Sequence, residues 1–232
     1  MALTAAATLL SAAGAGRARG DSFRLDPGEA IAYQEAPSGR DGLTLDDPAP
    51  REPGRLGTLL RLSAGGASAF VVHESSHVLA DTAFDAGVRL RRVKFGPIPF
   101  FAIIHPKQLS NRQEFVVSSA GFWSQHLTSE IILTAHPDVR TDHAPFEKGV
   151  LAFNILTSAG YAMTAFARIG PAERDPRAMA ATVGVAEPWV GALILAPAAL
   201  DTYRYYRPHS RTARWASRAI KVGAVLLIAA AH

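Results

Sequence analysis

Residues 70–80 contain the pattern His73-Glu74-x-x-His77, which restricts the chain more than any other stretch. Residues four apart lie on one face of a helix, about one turn along, so both imidazoles can reach a single zinc ion. Glu74 lies one step round the helix, where its carboxylate can accept a proton from a water that the zinc activates. The pattern predicts a hydrolytic site in which His73 and His77 bind zinc and Glu74 is the general base.

The alternative is a helix whose histidines and glutamate are merely satisfied by polar neighbours. After Arg61 the helix is apolar apart from the motif residues and Asp81, so unpaired polar groups would be costly there. Asp81 continues the histidine face, but it lies about 12 Å along the helix from His73, too far to share one ion.

Apolar segments separated by polar breaks run through most of the remaining chain. A helix needs roughly 20 apolar residues to cross a bilayer. The segments of about this length or more are 56–84, 114–135, 149–167 and 178–200, and 222–231 is shorter. The sequence predicts an all-α membrane bundle of four to five spans.

Residues 85–112 follow the motif helix and alternate in part between basic and apolar side chains. This predicts a small β insert at the membrane surface. Residues 85–112 and 202–221 are the richest in Lys and Arg, so both are expected on the cytoplasmic side. Three complete crossings between them would put them on opposite sides, so either one of the three is re-entrant or half-buried, or the rule that basic loops are cytoplasmic fails here.

The chain is expected to divide into three parts. Residues 1–16 are Ala-rich and predict a signal sequence or a leader, whereas 17–56 are rich in Gly, Pro, Asp and Arg and predict a disordered linker. Residues 57–231 would form the membrane-embedded domain. Its small residues at 63–69 predict the close approach of another helix.

The composition excludes several kinds of site. The chain has no cysteine, which excludes a thiolate metal site, a cysteine nucleophile and a disulfide framework. Its net charge of +4 comes from basic residues that flank apolar segments. Such residues are typical of loops beside a membrane, so membrane lipid is an expected partner and nucleic acid is not.

Further patterns follow the zinc motif. Residues 87–97 begin with Gly87-Val88 and end with Phe95-Gly96-Pro97, 120–125 read Ala-Gly-Phe-Trp-Ser-Gln, and 197–204 read Pro-Ala-Ala-Leu-Asp-Thr-Tyr-Arg. In these features, over roughly residues 57–231, the chain resembles the site-2 protease family of intramembrane zinc metallopeptidases. The family's motif helix also runs into a strand and a Phe-Gly-Pro turn.

The resemblance implies roles for residues outside the zinc motif. The family's Ala-Gly-Pro-x-x-Asn helix corresponds to 120–125, with Phe122 for Pro and Gln125 for Asn, and it implies that Gly121 and Gln125 bind substrate. The family's Leu-Asp-Gly-x-Arg pattern implies Asp201 as the third zinc ligand, although Thr202 replaces the glycine.

A catalytic zinc needs three protein ligands and an open position. The candidates in or near apolar segments are His126, Glu130, Glu187 and Asp201. Asp201 follows Pro197, where an unwound backbone could aim a short carboxylate inward. Glu130 and His126 lie on a regular helix and remain the alternatives.

The predicted function is that of a membrane-embedded zinc metalloendopeptidase acting on peptide bonds in or near membrane-spanning segments. Its partners would be membrane lipid and a membrane-protein or peptide substrate, and its location a cytoplasmic membrane of the bacterial type. One alternative is a non-catalytic membrane scaffold with a structural or degenerate zinc site. Another is an unrelated peptidase of the same motif with Glu130 as third ligand.

Overall fold

The computed structural model describes residues 54–95 and 98–230, and for this part it contains six helices and a two-stranded antiparallel sheet. The elements are α1 (Arg55–Ala83), β1 (Arg89–Phe95), β2 (Ile98–Ile104), α2 (Asn111–Ala135), α3 (Pro145–Ala167), α4 (Asp175–Val183), α5 (Glu187–Tyr206) and α6 (Arg211–Ala230). A mostly helical fold with a small β insert after the motif helix is therefore confirmed. The leader at 1–16, residues 17–53 of the linker and the turn at 96–97 lie outside the described residues.

A test of helix length and apolar composition finds fewer candidate membrane spans than the four to five predicted from the sequence. Among the described helices, α3 is long and apolar enough to cross a bilayer, and α4 with α5 would count as a second if they form one broken span. The two are bent by 117° relative to each other. The four to five predicted spans are thus not shown by this test.

Helices α1 and α3 cross at two glycines. A Cβ atom on Gly65 would overlap the carbonyl oxygen of Phe146, and a Cβ atom on Gly149 would overlap the carbonyl oxygen of Leu62. Only glycine at both positions lets the two backbones touch. The close approach predicted for residues 63–69 is therefore confirmed.

The β insert begins where α1 ends. Asp85 and Gly87 both have positive φ angles, 51° and 76°, which turn the chain out of the helix and into β1. The hairpin pairs Arg89 with Ile104 and is held to α1 by an edge-on ring contact between Phe70 and Phe101, with centroids 6.3 Å apart. This places β2 beside the motif helix.

The corner between α4 and α5 lies at Gly184, whose left-handed conformation (φ 67°) ends α4. Helix α5 then runs without a break through Pro197 and Asp201. The predicted unwound segment at 197–201 is therefore wrong. A proline inside a helix removes one backbone hydrogen bond but does not by itself end the helix.

Candidate metal centre

The two motif histidines converge on one point. Helix α1 is regular through the motif, so His73 and His77 lie one turn apart on the face that the bundle buries. Their Nε2 atoms are 3.3 Å apart. Two ligands bound at 2.0–2.1 Å in a tetrahedral zinc site are separated by about 3.3–3.4 Å. The spacing of the pair therefore fits one zinc ion.

The backbone of α2 orients His77. Its Nδ1 lies 2.7 Å from the carbonyl oxygen of Val117, which can only accept a hydrogen bond. Nδ1 therefore carries the proton, and Nε2 presents its lone pair toward His73. A carbonyl on the far nitrogen is the usual support for a metal-binding histidine.

Asp175 completes a group of three donors. Its Oδ2 lies 3.8 Å from His77 Nε2, and the ligand atoms of His73, His77 and Asp175 all lie within 4.8 Å of one another. Asp175 begins α4, and the neighbouring Arg174 holds Glu187 with two bonds of 2.7 and 2.8 Å. This partly buried ion pair ties the start of α4 to the start of α5 and so fixes the segment that presents the Asp175 carboxylate. We call His73, His77 and Asp175 the histidine cluster.

Gly121 on α2 leaves the space that the cluster occupies. A Cβ atom at this position would lie 2.5 Å from the Nε2 atoms of both His73 and His77. Such a separation is far inside van der Waals contact, so any side chain at 121 would displace the imidazoles. The donor set and this cradle together fit a bound zinc ion.

Aromatic rings and an amide enclose His73. Phe122 meets the ring edge-on at 5.5 Å, and Tyr161 stacks against it at 6.1 Å. The Gln125 side chain also lies within hydrogen-bonding reach of the ring, but among the described residues neither end of this buried amide nor His73 Nδ1 makes a hydrogen bond of good geometry. Gly121 and Gln125 are thus placed against the histidines and not among the residues that line the neighbouring cavity.

The structure places Asp201 elsewhere. Its Oδ1 accepts hydrogen bonds from Lys221 Nζ at 2.7 Å and from Ser217 at 2.9 Å. Among the described residues, the group of three that could hold a metal contains Asp175 and not Asp201. The structure therefore does not bring Asp201 to the histidines, because α5 stays helical and this carboxylate bonds to side chains of α6.

The other two candidates are also outside the histidine cluster. Glu130 accepts hydrogen bonds from Arg204, Arg218 and Lys221, while His126 is buried with its ring edge-on to Trp123. Five residues on α2, α5 and α6 form this set of ion pairs, which we call the charge network: Glu130, Asp201, Arg204, Arg218 and Lys221.

A cavity of about 740 Å³ opens beside the histidine cluster. Glu74, His77 and Asp175 line it, together with the β2 stretch 101–105 and parts of α2 and α3. Glu74 therefore shares this cavity with His77 and Asp175. The structure brings Glu74 and the two motif histidines to one place, and the zinc-binding and catalytic roles expected of them stay predictions.

Asp175 is the member of the histidine cluster that the sequence analysis does not predict. It lies in the polar stretch 168–177 between two apolar segments, whereas the predicted candidates lie in or near apolar segments. The signal was present: an Asp-Pro pair after Gly170-Pro171 is typical of a helix start, where a carboxylate is favoured.

Comparisons with family models, with curated proteins and with solved structures return no match to this chain. The likeness to site-2 proteases therefore rests on the sequence patterns alone.

Proposed function

We propose that the protein is a membrane-embedded zinc metallopeptidase that cleaves peptide bonds in or beside membrane-spanning segments. One observation carries the proposal: the Nε2 atoms of His73 and His77 are 3.3 Å apart with the Asp175 carboxylate within 4.8 Å, and Glu74 lies on the wall of the adjoining cavity. Zinc would be held by His73, His77 and Asp175. This ligand set replaces the one that the family resemblance implies.

The distribution of apolar side chains on α1 supports a membrane environment. The face that α1 buries carries small or ionisable residues, Gly65, Ala69, His73, His77 and Asp81. Its exposed large side chains are Leu56, Leu59, Leu60, Leu62, Val71, Val72 and Leu79. A helix of a soluble protein shows the reverse pattern, because water surrounds it. Lipid around α1 would account for this one.

Helix α6 has the same inverted pattern. It buries Ser217 and Lys221 and exposes Trp215, Val222 and Val225. Spans that bury charges fail a test of mean hydropathy even when their outer face is apolar. This explains how several helices could lie in lipid although α3 alone passes that test as a single helix.

Each residue of the proposed site would have a separate role in peptide hydrolysis. Zinc, when bound, supplies a Lewis acid that lowers the pKa of water toward 7 and polarises a carbonyl group. Glu74 takes the proton from the attacking water and returns it to the leaving nitrogen. Val117 holds His77 in the tautomer with a free Nε2, and Asp175 supplies negative charge.

The cavity suits an extended peptide. Strand β2 pairs with β1 on one side, and its residues 101–105 line the cavity. A peptide could add to β2 as a further strand, since main-chain hydrogen bonds there do not depend on sequence. A helical substrate would first have to unwind, because a helix hides its carbonyl groups.

The test compares the wild type with Glu74→Gln, both purified in detergent without chelator. Zinc is measured by elemental mass spectrometry, and cleavage is followed on a reporter membrane segment. We expect zinc in both proteins and cleavage by the wild type alone, lost with chelator and restored by zinc.

Two results would contradict the proposal. Absence of zinc from the folded wild type would favour the non-catalytic scaffold, in which the two imidazoles simply hydrogen-bond to each other. Equal cleavage by the wild type and Glu74→Gln would refute the role of Glu74.

A further inference from the structure

Asp81 is a buried carboxylate on the cavity wall, one turn beyond His77 on α1. Its exposed fraction is 0%, and neither carboxylate oxygen has a hydrogen-bond partner among the described residues. It nevertheless lines the cavity that contains Glu74 and His77. A buried carboxylate without a partner is costly, so it is a group for which a ligand is expected.

The imidazoles nearest Asp81 are already engaged. These are His77 and His105, with Glu114 also close. His77 uses Nδ1 for Val117 and points Nε2 at His73. His105 has its Nδ1 2.8 Å from the carbonyl oxygen of Lys107 and its Nε2 2.8 Å from Glu114. Neither ring has a nitrogen left for Asp81.

The remaining basic residue of the cavity lining is Arg174, which is bound to Glu187. The cavity around Asp81 thus has a carboxylate whose charge the lining does not compensate. Among the described residues no set of three ligand atoms gathers around Asp81 as it does around His73. A cation that brings its own hydrogen-bond donors fits better than a second metal ion.

We propose that Asp81 is the base of a specificity subsite for a Lys or Arg side chain of the substrate. This inference rests on the proposed peptidase function. Asp81 is about 6 Å along the helix from His77, a distance that a lysine or arginine side chain can span from a residue at the scissile bond. Asp81 is also near the end of α1 at Ala83. The substrate class would be segments whose apolar span ends in a basic residue, as spans commonly do at a membrane surface.

The first arm measures cleavage of two reporters that differ only in Arg or Leu next to the scissile bond. The wild type should prefer Arg, and Asp81→Asn, which keeps the shape, should lower kcat/KM for the Arg reporter by about 30-fold or more. The Leu reporter should be cleaved equally by both proteins. Asp85→Asn is the matched control, because Asp85 lies just beyond the end of α1 with its side chain fully exposed, and it should change neither rate.

The second arm measures binding of a fluorescent Arg peptide to Glu74→Gln and to Glu74→Gln/Asp81→Asn in detergent. Binding should weaken in the double variant by a similar factor. Zinc-dependent cleavage of both reporters at equal rates would overturn the subsite while leaving the peptidase function intact. Asp81-dependent binding without any cleavage would support the subsite and contradict the peptidase function. Two zinc ions per chain, with the second lost in Asp81→Asn, would replace the subsite with a metal site.

Discussion

The histidine cluster and the charge network are both buried polar groups between helices, and they differ in how their atoms are satisfied. In the charge network, Glu130 and Asp201 each accept hydrogen bonds from two or more donors on α5 or α6. Around the histidine cluster, His73 Nδ1 and both ends of the Gln125 amide make no well-formed hydrogen bond with any residue that the structure describes, and a cavity lies alongside.

This difference separates a structural role from a functional one. A network whose members are all paired rigidifies the helices that carry it. A buried cluster that leaves polar atoms unpaired is costly, so it is a candidate for a bound ligand. Asp201 belongs to the paired network, whereas Asp175 lies in the cluster beside the unpaired atoms of His73 and Gln125.

The largest expected effect is on the charge network. Glu130→Ala would leave Arg204, with an exposed fraction of 2%, without its carboxylate partner. Breaking a buried pair from one side costs about 3–5 kcal/mol, and we expect the lower figure because Ser217 and Thr134 still bond Arg204. Denaturant unfolding in detergent measures the free energy of unfolding.

The matched control is Asp138→Ala, which removes the carboxylate from an exposed pair with His209. A surface pair contributes little, so the change should stay within about 1 kcal/mol. Zinc content of folded Glu130→Ala should remain that of the wild type; its loss would mean that the two clusters are coupled.

The next-largest expected effect is on zinc affinity, and it should differ between Asp175→Ala and Asp201→Ala. Asp175→Ala removes a proposed zinc ligand, so zinc affinity should fall by more than the 10- to 100-fold typical of residues that only orient ligands. Asp201→Ala should keep zinc affinity and lose stability instead, because it leaves Lys221 without one of its partners. Competition with a chromophoric chelator measures both. The reverse outcome would restore Asp201 as the ligand.

Gly121→Ala tests whether zinc binding needs the space that the missing side chain of Gly121 leaves beside His73 and His77. The added methyl group would force the imidazoles apart, and zinc affinity should fall by about 10- to 100-fold, the range seen when ligand orientation is disturbed. Gly223→Ala on α6 is the control, since a Cβ atom there meets nothing within 4 Å, and it should leave zinc affinity unchanged. Equal affinities in all three proteins would show that the metal binds elsewhere.

The smallest effect is expected at Gln125. Gln125→Leu removes the amide beside His73 but leaves all three proposed ligands, so zinc affinity should drop by about 10-fold or less. A loss as large as that of Asp175→Ala would instead identify Gln125 as part of the ligand set. Isothermal titration of the metal-free protein resolves a difference of this size.

The features that could be predicted from the sequence are those that follow from the pattern of neighbouring residues. The four-residue spacing of His73 and His77 needs nothing but a regular helix, and the small residues at 63–69 needed only a neighbouring backbone. The alternation in 89–94 gave a strand for the same reason. Each of these features depends on geometry within a few residues.

Which carboxylate lies beside the two histidines depends on which distant segment folds back onto α1. Asp175 and Asp201 are both carboxylates near prolines, and nothing within a few residues of either states which helix it will face. Two tertiary features determine where these carboxylates lie. The corner at Gly184 turns α4 toward the cavity, and Lys221 holds Asp201 against α6.

The glycine crossing has a consequence for redesign. At Gly65 and Gly149 the hydrogen that replaces a side chain points at a carbonyl oxygen of the opposite helix, the arrangement of a Cα–H···O contact. Helices α1 and α3 therefore form a wall that accepts no substitution at these points. A variant with room for bulkier substrates should be sought in the hairpin and in residues of α4 other than Asp175, whose side chains also line the cavity.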